Sequence, residues 1–281
     1  MYSSISLTRS PIHSDSAMIP SPVAADTMNT GYDVCTHATR GVYCGGGAAR
    51  NAALKARKIL FEYAGEFMAE KPDDLEVVLD PKEHQGRVQV KSYPTKSMTY
   101  NEIARKAWIM SWGTLVHSES YRQKNAPPCF TIHFCECEVD TYTGIVTFPK
   151  VVIYGDCGTA FNPDLVKGQL VGSWNRGYGY TMYETCETNE ETGHLFNKGL
   201  MVDYKTPTAC EMPSIPEMDV NLCHVYEPCG PFGAKGIGEA ALASVQACIA
   251  NAIYNAIGVR FTELPITPER VLAAIKEKEG K

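Results

Sequence analysis

The sequence predicts an α+β fold, with mixed sheets and helices packed on them. Three observations point there. Strand-like runs and helical patterns are intermixed along the 281 residues without a regular βαβ alternation. The two strongest strand signals, Cys129 to Val139 and Ile145 to Ile153, flank a short turn and so read as a hairpin. The composition, 44% hydrophobic and 21% charged, is that of a globular chain able to bury a core.

The elements follow in order. Residues 1–30 are rich in Ser, Pro and Thr and show neither period, so an extended or poorly ordered lead is expected. The cluster Gly45-Gly46-Gly47 feeds an Ala-rich helix in which Leu54, Phe61, Ala64 and Met68 share one face. Lys71-Pro72 marks its end. Leu75 to Leu79 and Arg87 to Val90 read as short strands joined by a polar turn. Thr99-Tyr-Asn-Glu102 is a capping-box pattern opening the next helix. In the later hairpin, Asp140 to Gly144 forms the bend.

Asn162-Pro163 opens a helix-like but Gly-interrupted stretch, a pattern that suggests close packing against other backbone. Residues 203–232 are Pro-rich and irregular. Ala240 to Ile257 reads as one helix with Val245, Ile249, Ile253 and Ile257 in a row and Gly258 as its stop. Thr267-Pro268 caps and starts a last helix.

Composition limits function. The net charge of −6, from 26 basic and 32 acidic residues, argues against a general nucleic-acid binder. No apolar run is long enough to predict a membrane span, and Met1 to Pro11 lacks the apolar core of a signal peptide, so a cytoplasmic chain is expected. The eleven cysteines cannot all pair within the chain, and none lie in a CxxC. Cys135 and Cys137 share one strand face, but no second close pair completes a tetrahedral site, so no protein-held metal is expected.

Two segments could carry chemistry. Gly230 to Glu239 is a Gly-rich loop running into the Ala-rich helix, whose free N–H groups and positive dipole end suit an anion. Glu239 at that junction is placed to act as a base, although spacing alone favours the plain role of a first-turn helix acid. Gly233, Gly236 and Gly238 do not match GxGxxG, and Lys235 is not followed by Ser or Thr, so neither a dinucleotide fingerprint nor a P-loop is present. The second segment, Thr36 to Arg40, packs donors beside a helix start, as phosphate or pterin binding requires. Here too, spacing alone favours a polar loop with an N-cap.

Four stretches in register change that balance. They are TGYDVCTHATRGVYCGGGAARNAALKAR, CECEVDTYTGIVTFPKVVIYGDCGTAFNPDLVKGQLVG, MVDYKTPTACEMPSIPEM and EPCGPFGAKGIGEAAL. Together they resemble the C-terminal part of the molybdenum subunit of the xanthine dehydrogenase and aldehyde oxidase family, and look closest to its nicotinate dehydrogenase and hydroxybenzoyl-CoA reductase branch. The resemblance implies that residues 31–281 form a molybdenum-cofactor-binding domain, divisible into about 31–128 and 129–281. It implies a molybdenum–pterin cofactor in the cytosine dinucleotide form. The reaction implied is hydroxylation of an electron-poor carbon, in a purine- or nicotinate-like N-heterocycle or an aldehyde, with oxygen from water.

By residue-wise matching, Glu239 is the general base. Thr36, His37, Ala38, Thr39 and Arg40 fall on a cofactor-contacting loop, and Lys235, Gly236, Ile237 and Gly238 on the loop that brings the base to the metal. Thr39 stands where many relatives carry Ser, and Arg176 where many carry Gln. The family's subunit is much longer, and only its last third is matched. The resemblance therefore implies partner chains: one supplying the N-terminal part of the subunit, one with 2Fe-2S clusters and one with FAD. The alternative is a truncated or non-catalytic assembly subunit that keeps the fold without the metal.

Overall fold

In the computed structural model the described residues are 2–6, 21–23, 26, 28, 30–33, 36–80, 85–113, 115–196, 200–202, 204–213 and 218–280. The chain divides into two compact units, Met1–Asn125 and Ala126–Lys281. The first has two three-stranded sheets and the second one, each unit has its own helices and core, and α+β is the fold class.

In the first unit, β1 (Tyr2–Ser6) lies between β2 (Ser21–Val23) and β6 (Val116–Ser120), antiparallel to both. Part of the lead, 1–30, is thus paired into a sheet; the rest of it, for the most part, lies outside the described residues. α1 (Gly46–Met68) packs on β1 and β6. Its buried face is Ala48, Ala52, Ala56, Leu60, Phe61, Ala64 and Met68. Leu54, expected on that face, is 47% exposed. A stripe of alanines lets the helix sit close to its neighbours, and the larger Leu54 falls on the opposite side.

Ala69 closes α1 in the left-handed conformation, before Lys71-Pro72. β3 (Leu75–Asp80), β4 (Gln85–Val90) and β5 (Tyr93–Thr99) form an antiparallel meander. The predicted capping box is present at α2 (Tyr100–Ile109): Glu102 N donates to Thr99 Oγ1 at 3.2 Å and Thr99 N to the Glu102 carboxylate at 2.8 Å. Leu60, Phe61, Met68, Val88, Val90 and Ile103 share this unit's core.

In the second unit, β7 (Thr131–Val139) and β8 (Val146–Asp156) form the predicted hairpin, with Gly144 at φ 78° in the bend. β9 (Met218–Cys223) runs parallel to β8 and makes the sheet mixed. It lies in the stretch read as irregular. Its six residues sit downstream of prolines and carry no clean alternation, so local pattern could not mark it. α3 (Pro163–Met182), α4 (Val245–Ile257) and α5 (Pro268–Glu279) complete the unit. Asn162 and Thr267 cap α3 and α5 through their side chains, and Gly258 ends α4 in the left-handed region.

Two expectations are corrected here. The helix predicted over 240–257 is a 3-10 turn, Ala240–Leu242, followed by α4 from Val245. The stretch is apolar enough in composition to cross a membrane, yet Val245, Ile249 and Ile253 are spent on the protein core. The α3 glycines were expected to admit other backbone. Gly168 and Gly172 instead face open space, while Gly177 closes on the Val245 side chain.

That contrast yields opposite outcomes for one chemical change. A Cβ on Gly177 would fall 2.5 Å from Val245 Cβ, so Gly177→Ala should destabilise by about 1–3 kcal/mol. Gly172→Ala adds a methyl in open space inside a helix and should stabilise by roughly 0.5–1 kcal/mol. Urea midpoints of the two variants check the signs.

Candidate functional site

The loop ending at Glu239 is held from three sides. At its start, Phe232 and Gly233 take positive φ, 51° and 83°, which turns the backbone against the end of β8. Gly233 O accepts from Thr159 N at 2.8 Å, and Lys235 N donates to Cys157 O at 2.8 Å. Gly158, at φ 69°, lies so close that a Cβ there would overlap Gly233 O. The Lys235 side chain then turns inward. Its Nζ sits 2.6 Å from Asp156 Oδ2 and 2.7 Å from Pro128 O, and both Lys235 and Asp156 are buried. The other Asp156 oxygen accepts from Gly158 N at 3.0 Å. The Lys235 ammonium is therefore committed to the protein, and its backbone is the part left to face a ligand.

β7 and the residue before it supply the second side. Alternate residues point one way along this segment. Cys129 Sγ reaches Gly236 O at 2.9 Å, Thr131 Oγ1 donates to Ala240 O at 2.8 Å, and His133 Nδ1 meets Ser244 Oγ at 2.8 Å. Cys135 Sγ lies 3.4 Å from Cys248 Sγ, both thiols being free. Steps of two on the strand match steps of four on the facing segment. α3 gives the third side. Ser173 Oγ donates to Gly238 O at 3.2 Å, and a Cβ on Gly238 would meet Gln169 Oε1 at 3.4 Å.

The result is a graded exposure. Lys235, Gly236 and Ile237 are buried, Gly238 is half-buried and Glu239 is exposed. Glu239 precedes a single 3-10 turn, and α4 begins at Val245, so the helix dipole read from the sequence is not adjacent to this carboxylate. Asp156, Cys129, Thr131, Ser173 and Gln169 were not singled out beforehand. Their signal is tertiary, apart from the acid in the Tyr-Gly-Asp-Cys-Gly turn at the end of a hydrophobic strand.

The other candidate loop lies in the first unit. Ala38 and Thr39 both adopt positive φ, 49° and 60°, and Arg40 N donates to His37 O at 3.2 Å. Two successive non-glycine residues there are strained, a condition that clusters at ligand sites. Thr36, His37 and Ala38 are exposed, and Thr39 and Arg40 half-buried. Arg40 Nε is buried with no hydrogen-bond partner. The expected direct entry into a helix is altered, since a π-helical turn, Gly41–Gly45, precedes α1. Cys35, within this motif, is outside the described residues. Among the described residues no group of three or more His, Cys, Asp or Glu is arranged to hold a metal ion.

Burial acts on titration as well. His133 is buried against Trp174, and desolvation pushes its pKa down from 6.5 to about 4. Burial likewise pushes the Cys129 thiol up.

Two predictions follow from this geometry. Lys235→Met leaves Asp156 buried and uncompensated and should cost about 3–5 kcal/mol, and Asp156→Leu should cost as much. The double variant should recover most of the loss, which a double-mutant cycle in urea measures. For His133, the unfolded chain takes up a proton near pH 6.5 and the folded chain only near 4. Its contribution is complete above pH 6.5 and lost as pH falls toward 4. His133→Gln should flatten that limb of the stability–pH curve, and an unchanged slope would remove His133 as its source.

Comparison with known proteins agrees with the fold. The molybdopterin cofactor-binding domain model matches residues 21–213. The xanthine dehydrogenase molybdenum-binding subunit of Escherichia coli O157:H7 is 29% identical over 249 residues, 88% of this chain and 32% of that one. The 6-hydroxypseudooxynicotine dehydrogenase complex subunit gamma of Paenarthrobacter nicotinovorans is 30% identical over 268 residues, 93% of this chain and 31% of that one. The crystal structure of quinoline 2-oxidoreductase from Pseudomonas putida 86 superposes with a TM-score of 0.76 at 28% identity, covering 89% of this chain and 32% of that one. The chain spans about a third of the length of these relatives. It is similar to part of molybdenum-binding subunits such as that of xanthine dehydrogenase, and it belongs to the molybdopterin cofactor-binding domain family.

Proposed function

We propose that this chain is part of a molybdenum hydroxylase acting on an electron-poor carbon of an N-heterocycle or an aldehyde, with Glu239 as general base. The observation that carries this reading is the clamped loop, which buries Gly233 to Ile237 and leaves Glu239 exposed at its end. A base needs a fixed position and access to the reacting proton, and this arrangement supplies both.

The residues present suit a pterin cofactor with a phosphate-bearing tail. Thr36, His37, Thr39 and Arg40 are a donor set for an anion, and the orphaned Arg40 Nε wants an acceptor. Gly236, Ile237 and Gly238, with the backbone of Lys235, are a separate cofactor-contacting stretch on this reading, described within the second unit alone. When bound, such a cofactor supplies two-electron redox chemistry at molybdenum. Glu239 would take the proton of the water-derived hydroxyl as its oxygen bonds to the substrate carbon, and the electron pair of the C–H bond that breaks would go to the two-electron chemistry the cofactor supplies. The buried Lys235–Asp156 pair keeps the backbone beneath it from relaxing during that transfer.

Relatives named for xanthine and quinoline support an N-heterocyclic substrate. A relative named as one subunit of a complex supports partner chains. On this reading they are a chain with the N-terminal part of the subunit, a 2Fe-2S chain and an FAD chain, in the cytoplasm, with the cofactor as molybdopterin cytosine dinucleotide.

The test is co-purification with the partner chains, followed by assay of molybdenum, pterin and turnover. Glu239→Gln should retain both cofactor components while turnover falls by roughly 10²–10⁴. Unchanged turnover would remove the base assignment. A stable complex lacking molybdenum and pterin would instead identify a non-catalytic piece.

A further inference from the structure

The mixed sheet of the second unit is apolar on both faces. Its inner face, with Val151, Ile153 and Val220, packs on the core. On the outer face Phe130, Ile132 and Phe134 stand in a row and are 64%, 54% and 58% exposed. Phe130 belongs to this ladder, since its carbonyl accepts from Asp156 N at 2.9 Å. Across the hairpin, Ile132 pairs with Tyr154 and Phe134 with Val152. Tyr154 is 40% exposed. An antiparallel hairpin with a wet face should alternate apolar and polar residues, and this half of the hairpin does not. The next pair on the same face is Glu136 with Lys150, and on β9 the face ends in Asp219 and Asn221. An apolar centre with a polar rim is the anatomy of a protein interface.

We propose that this outer face is a docking surface for the polypeptide that carries the remaining two thirds of the molybdenum subunit. The inference rests on the split-subunit reading above and names the surface that reading requires. The occupant follows from three observations. The same fold makes up only 32% of the quinoline 2-oxidoreductase chain, so in that protein it sits within a body about three times as long. The rim is mostly acidic, with Glu136, Glu138 and Asp219 against Lys150, which disfavours an anionic lipid surface. A second copy meeting this face would set those acids against each other. The complementary surface is therefore apolar at its centre and carries Lys or Arg at its edge.

The experiment uses the full chain and, as probe, the polypeptide from the same genome that aligns with the first two thirds of the relatives' subunit. Phe130→Lys, Ile132→Lys and Phe134→Lys are combined in one variant, with Leu165→Lys on exposed α3 as control. All the replaced side chains are exposed, so circular dichroism and the unfolding midpoint should match the wild type. Binding by calorimetry should weaken about 100-fold or more in the triple variant and not in the control. Hydrogen exchange at 130–134 should slow in the wild-type complex. A triple variant that binds as well as wild type would overturn the surface and leave the split-subunit reading standing. A wild-type dimer that the triple variant abolishes, with no binding of the probe, would assign the face to a second copy and overturn the proposal. Neither dimer nor complex would sink both readings together.

Discussion

The geometry of the candidate site depends on the buried contact between Lys235 and Asp156. Two charges removed from water are costly, and backbone groups nearby offset part of that cost. Pro128 O takes a second proton of the ammonium, and Gly158 N serves the second carboxylate oxygen. The contact is therefore a four-way junction between the segment before β7, the end of β8, the turn after it and the glycine loop. An apolar pair of the same size would tolerate sliding, whereas directional hydrogen bonds to backbone do not. The ladder from Cys129 to Cys135 then carries that fixed start along the loop into α4.

Small residues make this possible, and they explain what the sequence could reveal. Gly158 and Gly177 sit where a side chain would collide with backbone or core, Gly233 where one would meet the Tyr226 ring, and Gly238 where one would crowd Gln169. A sequence shows the glycines but not their neighbours. Their density around Glu239 marks the segment as special without saying which partner each admits. The hairpin, the capping box at Thr99 and the caps at Asn162 and Thr267 were legible because each is a local pattern with a local cause. β9 and the pairing of β1 were not, because a short strand is defined by the strand it joins. Leu54 misled for a related reason: the helix chose its alanine face, and close approach outweighed the larger apolar side chain.

The site itself was legible in name but not in support. Glu239 and Thr36 to Arg40 stood out through their motifs. Asp156, Thr131 and Ser173 act through carbonyl groups 65 to 109 residues from them in sequence, or through Lys235, which is 79 residues from Asp156. No spacing rule reaches that far. Lys235 shows the cost of reading a motif as a list of ligands. It lies in the motif, yet its charge faces inward, and its work is to hold the backbone that others present.

The exposure of Glu239 bears on what this chain does by itself. Burial or a neighbouring charge makes a carboxylate a better proton acceptor. The clamp beneath Glu239 fixes where the carboxylate stands but does nothing to dry it. Positioning and dehydration are therefore separate tasks. The second unit performs the first through its ion pair and ladder. The second requires a lining that the described residues of that unit do not place over Glu239, which is exposed. On the proposed reading the clamp therefore does only half of the work, since fixing a carboxylate leaves the water around it in place.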